Sequence, residues 1–587
     1  MALRRAKPFA FSPSGVSDTL DGSQVFPGAM SSLSNLIPDY TTPNLWAPRP
    51  ASILLTNFTG FTASVAGPSI FKVVGNMVYG LVPTGRNAGH DEPFAYNLVT
   101  GLFITITGVT LANTPITAST IGAWEPPTCD IIGTKIVFTH PGFTLGGGVL
   151  FGWIDISTPS APTWTGGNTT TNALPSRPSV VVNFNGRAWY IVNPATGNPG
   201  AYFSDVLAAT VMTNATQVLT FGDAQRLTAA TGLPLFNQLG GIIQSLIVFK
   251  SNNAYQITGD AALSNLSLNT LNVATGTAGQ RGITTTPQGL AFNAPDGIRI
   301  CDFQARVSEP IGLYGQGVNR PFVFALNPTR VALSCNANVL RVSTQNTLLS
   351  ANPWQEYWYD MTKKMWSGPH SFAPTMAQPW NNTFVIASYL NDGNLWQSDI
   401  TLSATSTFVE NGTQLQVTWG TAILPDFQSM AELEVTEHTI NMILDQNGPV
   451  YSLNVVDGRG SLLNTFTILP PDVGAIWGSF VWGGAPWSSA QTGLVPLQIA
   501  WSSPPIARKM QFQLTGNAFA TFRIGDMFIR MRELGYLQQY SGGAVIGANL
   551  GGLPLELPPP PAGFVYLTGP DGSYLVGADG KYLLGAA

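Results

Sequence analysis

Four histidines and a few scattered carboxylates set the upper bound on the chemistry this chain could do. His90 stands beside Asp91 and Glu92, the inventory of a metal or acid–base cluster. Adjacent side chains of an extended chain point to opposite faces, so the three cannot converge, and the stretch reads as a solvated loop. His140, His370 and His438 are isolated, without the HxH or HExxH spacing that brings two imidazoles to one metal, and each reads as structural. Asp260, Asp296, Glu309 and Glu356 fall near turns and could be recruited as the paired carboxylates of a glycosidase, but nothing in the sequence pairs them. No GxSxG elbow or GxxxxGK[ST] loop is present, and Leu145-Gly146-Gly147-Gly148 lacks a lysine and opens no helix. No catalytic, metal or cofactor site is expected.

The aromatic residues are the other candidates for a site. Trp354, Trp358 and Trp366 with Tyr357 and Tyr359 have the make-up of a sugar-stacking platform, and Trp477, Trp482 and Trp487 share one glycine-rich stretch. Core and subunit-interface packing is the simpler expectation for both groups.

The elements that must carry these residues repeat. A short apolar strand, an Asn/Gly/Asp turn and an aromatic-rich strand occur at 71–83, 130–141, 180–194, 245–260, 289–303, 333–345 and 384–399. Measured at the turns, successive copies lie 58, 53, 67, 44, 41 and 55 residues apart. Hairpins at that interval predict propeller blades, since a four-stranded blade with its loops takes roughly 40–50 residues. The uneven spacing predicts irregular blades with insertions. After about residue 406 the strands lengthen, as in 414–419, 433–444 and 509–516, and Phe522, Ile524 and Phe528 alternate with polar neighbours, which predicts a β-sandwich with one face buried. Helical signals are few: one turn around Ser32–Leu36 and two turns over Asp223–Ala230. The fold class is therefore all-β, an irregular propeller followed by a sandwich. The expected organisation is an extended arm at 1–50, a propeller at 51–405, a sandwich at 406–545, and a Pro-rich spacer with a repeat tail at 546–587.

That tail carries the sharpest repeat, with a period of eight: Tyr566-Leu567, Tyr574-Leu575 and Tyr582-Leu583, each pair followed by a glycine. Three such units cannot bury a core alone, so the tail is expected to dock on a partner or a neighbouring subunit. These six residues and the three tryptophans at 477, 482 and 487 are the candidate interaction residues.

Composition narrows the partners. Charged residues make up 10% of the 587, against a usual share of about 25%, and with 15 Trp, 16 Tyr and 31 Phe this predicts a surface largely covered by other subunits. The net charge is −5, and no basic run exists beyond Arg4, Arg5 and Lys7, so tight nucleic-acid binding is not expected. A mildly acidic wall past which nucleic acid slides remains compatible. Cys129, Cys301 and Cys335 are odd in number and widely spaced, and they read as buried small hydrophobes. No run of about 18 apolar residues exists to span a membrane, and the start is too short and too interrupted by Pro8 and Pro13 for a signal peptide.

The opening, with Asn35-Leu36-Ile37-Pro38 ahead of Arg49-Pro50, resembles the start of tail nozzle or tail-hub proteins of short-tailed bacteriophages. The hairpin SLIVFKSNNAYQITGD at 245–260 is similar to theirs, and KMQFQLTGNAFATFRIGDMFIRMRELG at 509–535 resembles their last sandwich strands. The resemblance covers about residues 1–540, in pattern and not in an invariant motif. It implies a structural virion protein in a homo-hexameric tube below the portal and adaptor rings, holding tail fibres or spikes outside. Double-stranded DNA would be retained and then ejected through the lumen without sequence-specific binding. It implies no catalytic residues and no cofactor, and a protein assembled in the bacterial host cytoplasm and located in the virion tail. The Tyr-Leu tail departs from the family pattern. The other class compatible with the residues is a receptor-binding or carbohydrate-active propeller at the tail tip.

Overall fold

The computed structural model describes residues 7–11, 16, 30–42, 44–58, 67–84, 90–110, 126–143, 148–236, 241–261, 265–271, 275–311, 328–345, 354–372, 374–388, 394–401, 406–424, 432–444, 448–470, 495–534, 564–566 and 584–586. The strands of all seven hairpins predicted from the sequence pair with each other; those at 71–83, 130–141, 180–194 and 333–345 open a sheet, and those at 245–260, 289–303 and 384–399 are the second and third strands of theirs. The local cause is turn chemistry. Asn185 and Gly186, for example, take φ of 51° and 70° between Pro178–Phe184 and Arg187–Val192, the pair of positive angles that a two-residue hairpin turn of matching twist requires.

The sheets form seven blades. Blade 1 comprises Ile70–Val74, Met77–Thr84, His90–Asn97 and Leu102–Ile104; blade 2, Thr128–Ile132, Lys135–Thr139, Phe151–Asp155 and Thr163–Gly167. Blade 3 is Pro178–Phe184, Arg187–Val192, Gly200–Phe203 and Val218–Thr220, and blade 4 is Ala229–Phe236, Ile242–Phe249, Ala254–Thr258 and Ser267–Thr270. Blade 5 has three strands, Ile283–Thr286, Gly289–Ala294 and Gly297–Cys301, and blade 6 has Ala332–Asn336, Val339–Gln345, Trp354–Asp360 and Met365–His370. Blade 7 takes Pro374–Trp380, Thr383–Ser388 and Asn394–Asp399, and its outermost strand is Ile53–Asn57, from the other end of the chain.

The first strand of every blade lies beside the first strand of the next, and that of blade 7 lies beside that of blade 1, so the ring is closed. Apolar faces of successive blades pack on each other. Val181, Tyr190 and Val192 of blade 3 meet Ile132, Val137 and Phe151 of blade 2, and all are at most 2% exposed.

Two sheets follow. In the first, the outer strand of blade 6 does not end in solvent but pairs with Met30–Ser34. That strand pairs in turn with Gln416–Thr421, and the sheet runs on through Met510–Asn517, Tyr451–Asp457 and Leu462–Ile468, nine strands in all. The second sheet runs Leu36–Pro38, Trp46–Pro48, Arg523–Leu534, Glu432–Ile443, Val495–Gln498, with Lys7–Phe11 and Ile506–Ala507 paired alongside. Leu33, Trp419, Leu453 and Leu514 of the first sheet share one core with Leu433, Ile440, Ile524 and Ile529 of the second, which makes the sandwich.

Several local expectations are corrected. Ser32–Leu36 is not helical, because Met30–Ser34 has a strand partner on each side. Asp223–Thr228 forms no helix, since the Asp223 carboxylate accepts from the Gln225 N–H and the Lys250 ammonium, and Ala229 opens blade 4. In Arg523–Leu534 the register slips opposite Asn441, so Ile524, Met527, Ile529 and Met531 point inward and Phe528 turns aside, over which Arg530 lies. Among the described residues no helix is long and apolar enough to cross a membrane.

Candidate functional site: the arm junction and the closed channel

Met30–Ser34 and Leu36–Pro38 belong to different sheets, so the chain must turn sharply between them. Asn35 makes the turn with φ of 57°, a left-handed angle that asparagine tolerates. Its polar groups then face three parts of the molecule. The backbone N–H donates to His370 Nδ1 of blade 6 at 3.1 Å, and the side-chain amide donates to the Gln416 carbonyl of the sandwich at 2.6 Å. Asn35 Oδ1 accepts from Arg49 Nε at 2.9 Å and from the Ser371 N–H at 3.1 Å.

Arg49 is fully buried and grips Glu410 with two parallel bonds of 2.9 and 2.8 Å; Glu410 also accepts from the Ser52 N–H at 2.8 Å. Burial alone would raise the Glu410 carboxyl, but the Arg49 guanidinium and the Ser52 amide outweigh it and hold it below its ordinary range. His370 Nδ1 accepts the hydrogen bond from the Asn35 N–H, so Nε2 carries the ring hydrogen and donates to Ser367 Oγ at 3.2 Å. Burial, with Arg49 and Arg341 nearby, pushes His370 well below its ordinary value and keeps it neutral. Next to this knot Tyr40 donates to Asp360 of blade 6 at 2.6 Å, and Arg523 of the sandwich donates to Asp39 at 2.7 Å. A buried pair of this kind fixes geometry more than it adds stability, and losing one partner alone costs about 3–5 kcal/mol. Asn35 and Arg49, two of the residues behind the sequence resemblance, are therefore the residues that lock the arm, blade 6 and the sandwich together.

The middle of the propeller is also filled by its own side chains. Lys72 of blade 1 and Asp130 of blade 2 pair at 2.9 Å across adjoining first strands, and Asp130 accepts from the Asn183 N–H of blade 3 at 2.7 Å. Arg281, just ahead of blade 5, reaches over the channel to the Ser69 carbonyl at blade 1 and to the Thr375 carbonyl of blade 7. A cavity of about 260 Å³ remains where blades 2 to 5 begin, lined by Thr128, Ser179, Arg226, Leu227 and Gln280 among others.

The sequence-based candidates fall as follows. Asp91 and Glu92 are not in a solvated loop but lie buried in the strand His90–Asn97. His140 is not isolated: its Nδ1 accepts from the Gly142 N–H at 2.8 Å, so Nε2 donates to Asp91 Oδ2 at 3.0 Å, joining blade 2 to blade 1. Ser69 Oγ donates to the same carboxylate oxygen at 2.6 Å. This is the inventory of a hydrolytic triad in the wrong order, with the carboxylate in the middle and the serine not bonded to the imidazole, so no nucleophile is activated. Glu356 is paired with Arg341 in the core at 2.6 Å, and Asp296 is paired with Arg299 at the surface. Trp354, Tyr357, Trp358, Tyr359 and Trp366 are all buried, so they form core and not a sugar platform. His438 is buried against Trp501 and Phe512. The three thiols are free. Among the described residues no three or more His, Cys, Asp and Glu side chains gather as metal ligands do. Leu567, Tyr574, Leu575, Tyr582, Leu583, Trp477, Trp482 and Trp487 lie outside the described residues, as does the side chain of Tyr566, whose strand Phe564–Tyr566 pairs with Leu584–Ala586.

No family model and no curated protein matches this chain. Among solved structures it is similar to puromycin hydrolase, at 13% identity and a TM-score of 0.37 over 63% of this chain and 61% of the other. The computationally designed Ika8 protein aligns at 10% identity and 0.33 over 66% and 99%, and the exo-beta-1,3-galactanase of Phanerochaete chrysosporium at 9% and 0.22 over 82% and 99%. Likenesses this faint carry nothing about function. The all-β class rests on the sheets themselves.

Proposed function

We propose that this chain is a wall subunit of the tail nozzle or hub of a short-tailed bacteriophage. In this reading it is a structural virion protein and not an enzyme. Copies assemble as a homo-hexamer beneath the portal and adaptor rings, hold fibres or spikes on the outside, retain the packaged DNA and let it pass at ejection. The observation that carries the reading is the nine-stranded sheet in which the arm strand Met30–Ser34 joins blade 6 to the sandwich. Such a joint makes a rigid two-part strut, which a wall needs and a free-standing binding module does not.

One further feature agrees with it: Arg281 and the Lys72–Asp130 pair bridge blades across the propeller's own channel, so in this reading the conduit lies between copies. The test is the mass of the purified full chain by native mass spectrometry, with images of the assembled particle. A ring of about six copies with an open lumen supports the reading. A stable monomer or trimer that binds or cleaves polysaccharide overturns it.

A further inference from the structure

The chain enters the propeller once, between Trp46–Pro48 and Ile53–Asn57, and leaves it once, between Asn394–Asp399 and Gln416–Thr421. Both crossings pass one carboxylate. We infer that Glu410 is a clamp through which the joint strand Met30–Ser34 and the outermost strand of blade 7, Ile53–Asn57, open and shut together. A strain on the sandwich then reaches the seam of the propeller. The coupling is internal to one chain and needs no neighbour.

The links run from one strand to the other without a gap. Ser34 is followed by Asn35, whose Oδ1 accepts from Arg49 Nε at 2.9 Å, and the Arg49 backbone N–H donates to the Asn35 carbonyl at 2.9 Å. The Arg49 guanidinium holds both oxygens of Glu410. Glu410 Oε1 also accepts from the Ser52 N–H at 2.8 Å, one residue ahead of Ile53. Beside it the Ala51 N–H donates to the Thr407 carbonyl at 2.9 Å, so the leaving chain holds the entering chain at two successive residues. Ser371, between blades 6 and 7, closes the circuit. Its Oγ lies 3.2 Å from both Arg49 Nη2 and Asn35 Oδ1, and 3.4 Å from Glu410 Oε2.

Glu410 is itself fixed from the sandwich side. Val409–Glu410 pairs with Thr413–Gln414 across a two-residue turn, with Asn411 and Gly412 at φ of 49° and 74°. The Gln414 side-chain amide donates to the Ala518 carbonyl at 2.9 Å and the Ala518 N–H donates to the Leu415 carbonyl at 2.7 Å, which pins this hairpin to the sandwich. Asn35, Arg49, Ser52 and Glu410 are each at most 9% exposed, so little water is at hand to replace a lost partner. A buried polar network of this kind gives way as a unit, because each broken bond leaves another group unmet. If Met30–Ser34 lifts, Asn35 withdraws with it and Arg49 loses an acceptor. The grip of Glu410 on Ser52 then loosens where the outer strand of blade 7 begins.

Hydrogen exchange read by mass spectrometry on the full chain tests the coupling. Four forms are compared: wild type, Leu33→Ala, a clamp-free variant (Arg49→Met with Glu410→Leu), and the three substitutions together. Taking out both charges leaves neither buried alone, which spares the fold. Leu33→Ala weakens the joint strand by removing buried methyl groups. The expected result is that Leu33→Ala, with the clamp present, speeds exchange across residues 53–57 by about tenfold or more and leaves Gly289–Ala294 of blade 5 unchanged. In the clamp-free background Leu33→Ala still speeds exchange across 30–34 but changes 53–57 by less than about twofold. Ser52→Pro, which deletes only the donated N–H, is expected to break the coupling in the same way and serves where the clamp-free variant does not fold. Equal acceleration of 53–57 with and without the clamp, or none with the clamp present, overturns the inference.

Discussion

At the residue scale, the histidines that looked inert in the sequence are inert for chemistry but matter for pH. His438 is fully buried; its ring stacks on Trp501 with centroids 5.9 Å apart and meets the edge of Phe512 at 4.9 Å, and neither ring nitrogen has a hydrogen-bond partner among the described residues. Burial pushes it down from 6.5 to about 3. The unfolded chain therefore takes up a proton on this ring between those values while the folded chain refuses it. Stability from this site is complete above pH 6.5 and is lost as the pH falls towards 3, at about 1.4 kcal/mol per pH unit. His370, lowered by burial and by Arg49 and Arg341, acts in the same direction. Replacing His438→Phe removes a buried ring with unmet polar atoms and keeps the aromatic packing, so stability at pH 7 should hold or rise. Between pH 6 and 4 the variant should lose about 1.4 kcal/mol per pH unit less than the wild type in urea titrations. An unchanged pH slope would count against this account.

At the element scale, the arm strand Met30–Ser34 is the joint of the molecule. Leu33, fully buried, pairs with Gly368 of blade 6 on one side and with Trp419 of the sandwich on the other. A charge at that position is buried without a partner and forces the strand out. Leu33→Asp should therefore uncouple the two bodies, turning one calorimetric unfolding transition into two with the earlier one several degrees lower; a single shifted transition would contradict the joint. The sequence announced the seven hairpins because their signals are local: alternation, aromatic residues and a turn residue in each. It could not announce the joint, whose partners lie more than 300 residues away, as with Asn35 N to His370 Nδ1. The same holds for His140 and Asp91, which are 49 residues apart and meet only when blades 1 and 2 pack. The Phe528 error has a smaller cause, a bulge that a simple alternation cannot foresee.

At the scale of the whole molecule, the ring is held shut by a strand made early in the chain and paired late. Ile53–Asn57 completes blade 7 only after Asn394–Asp399 exists, with Asn57 opposite Asn394. Opening the ring between blades 7 and 1 therefore requires this one outer strand to detach, and its side chains are half exposed, which makes it the cheapest place for unfolding to begin. Joining the two positions by a disulfide, Asn57→Cys with Asn394→Cys, closes a loop of roughly 340 residues, for which chain entropy sets a ceiling on the order of 5 kcal/mol. The native thiols will not compete for the bond, because burial pushes Cys129, Cys301 and Cys335 each up to about 12 and leaves almost no thiolate. If detachment of this strand limits unfolding, the oxidised variant should unfold at least tenfold more slowly in denaturant than its reduced form, and the reduced form should match the wild type. Equal unfolding rates in the two redox states would mean that the ring opens elsewhere, at the three-stranded blade 5 or at the joint with the sandwich.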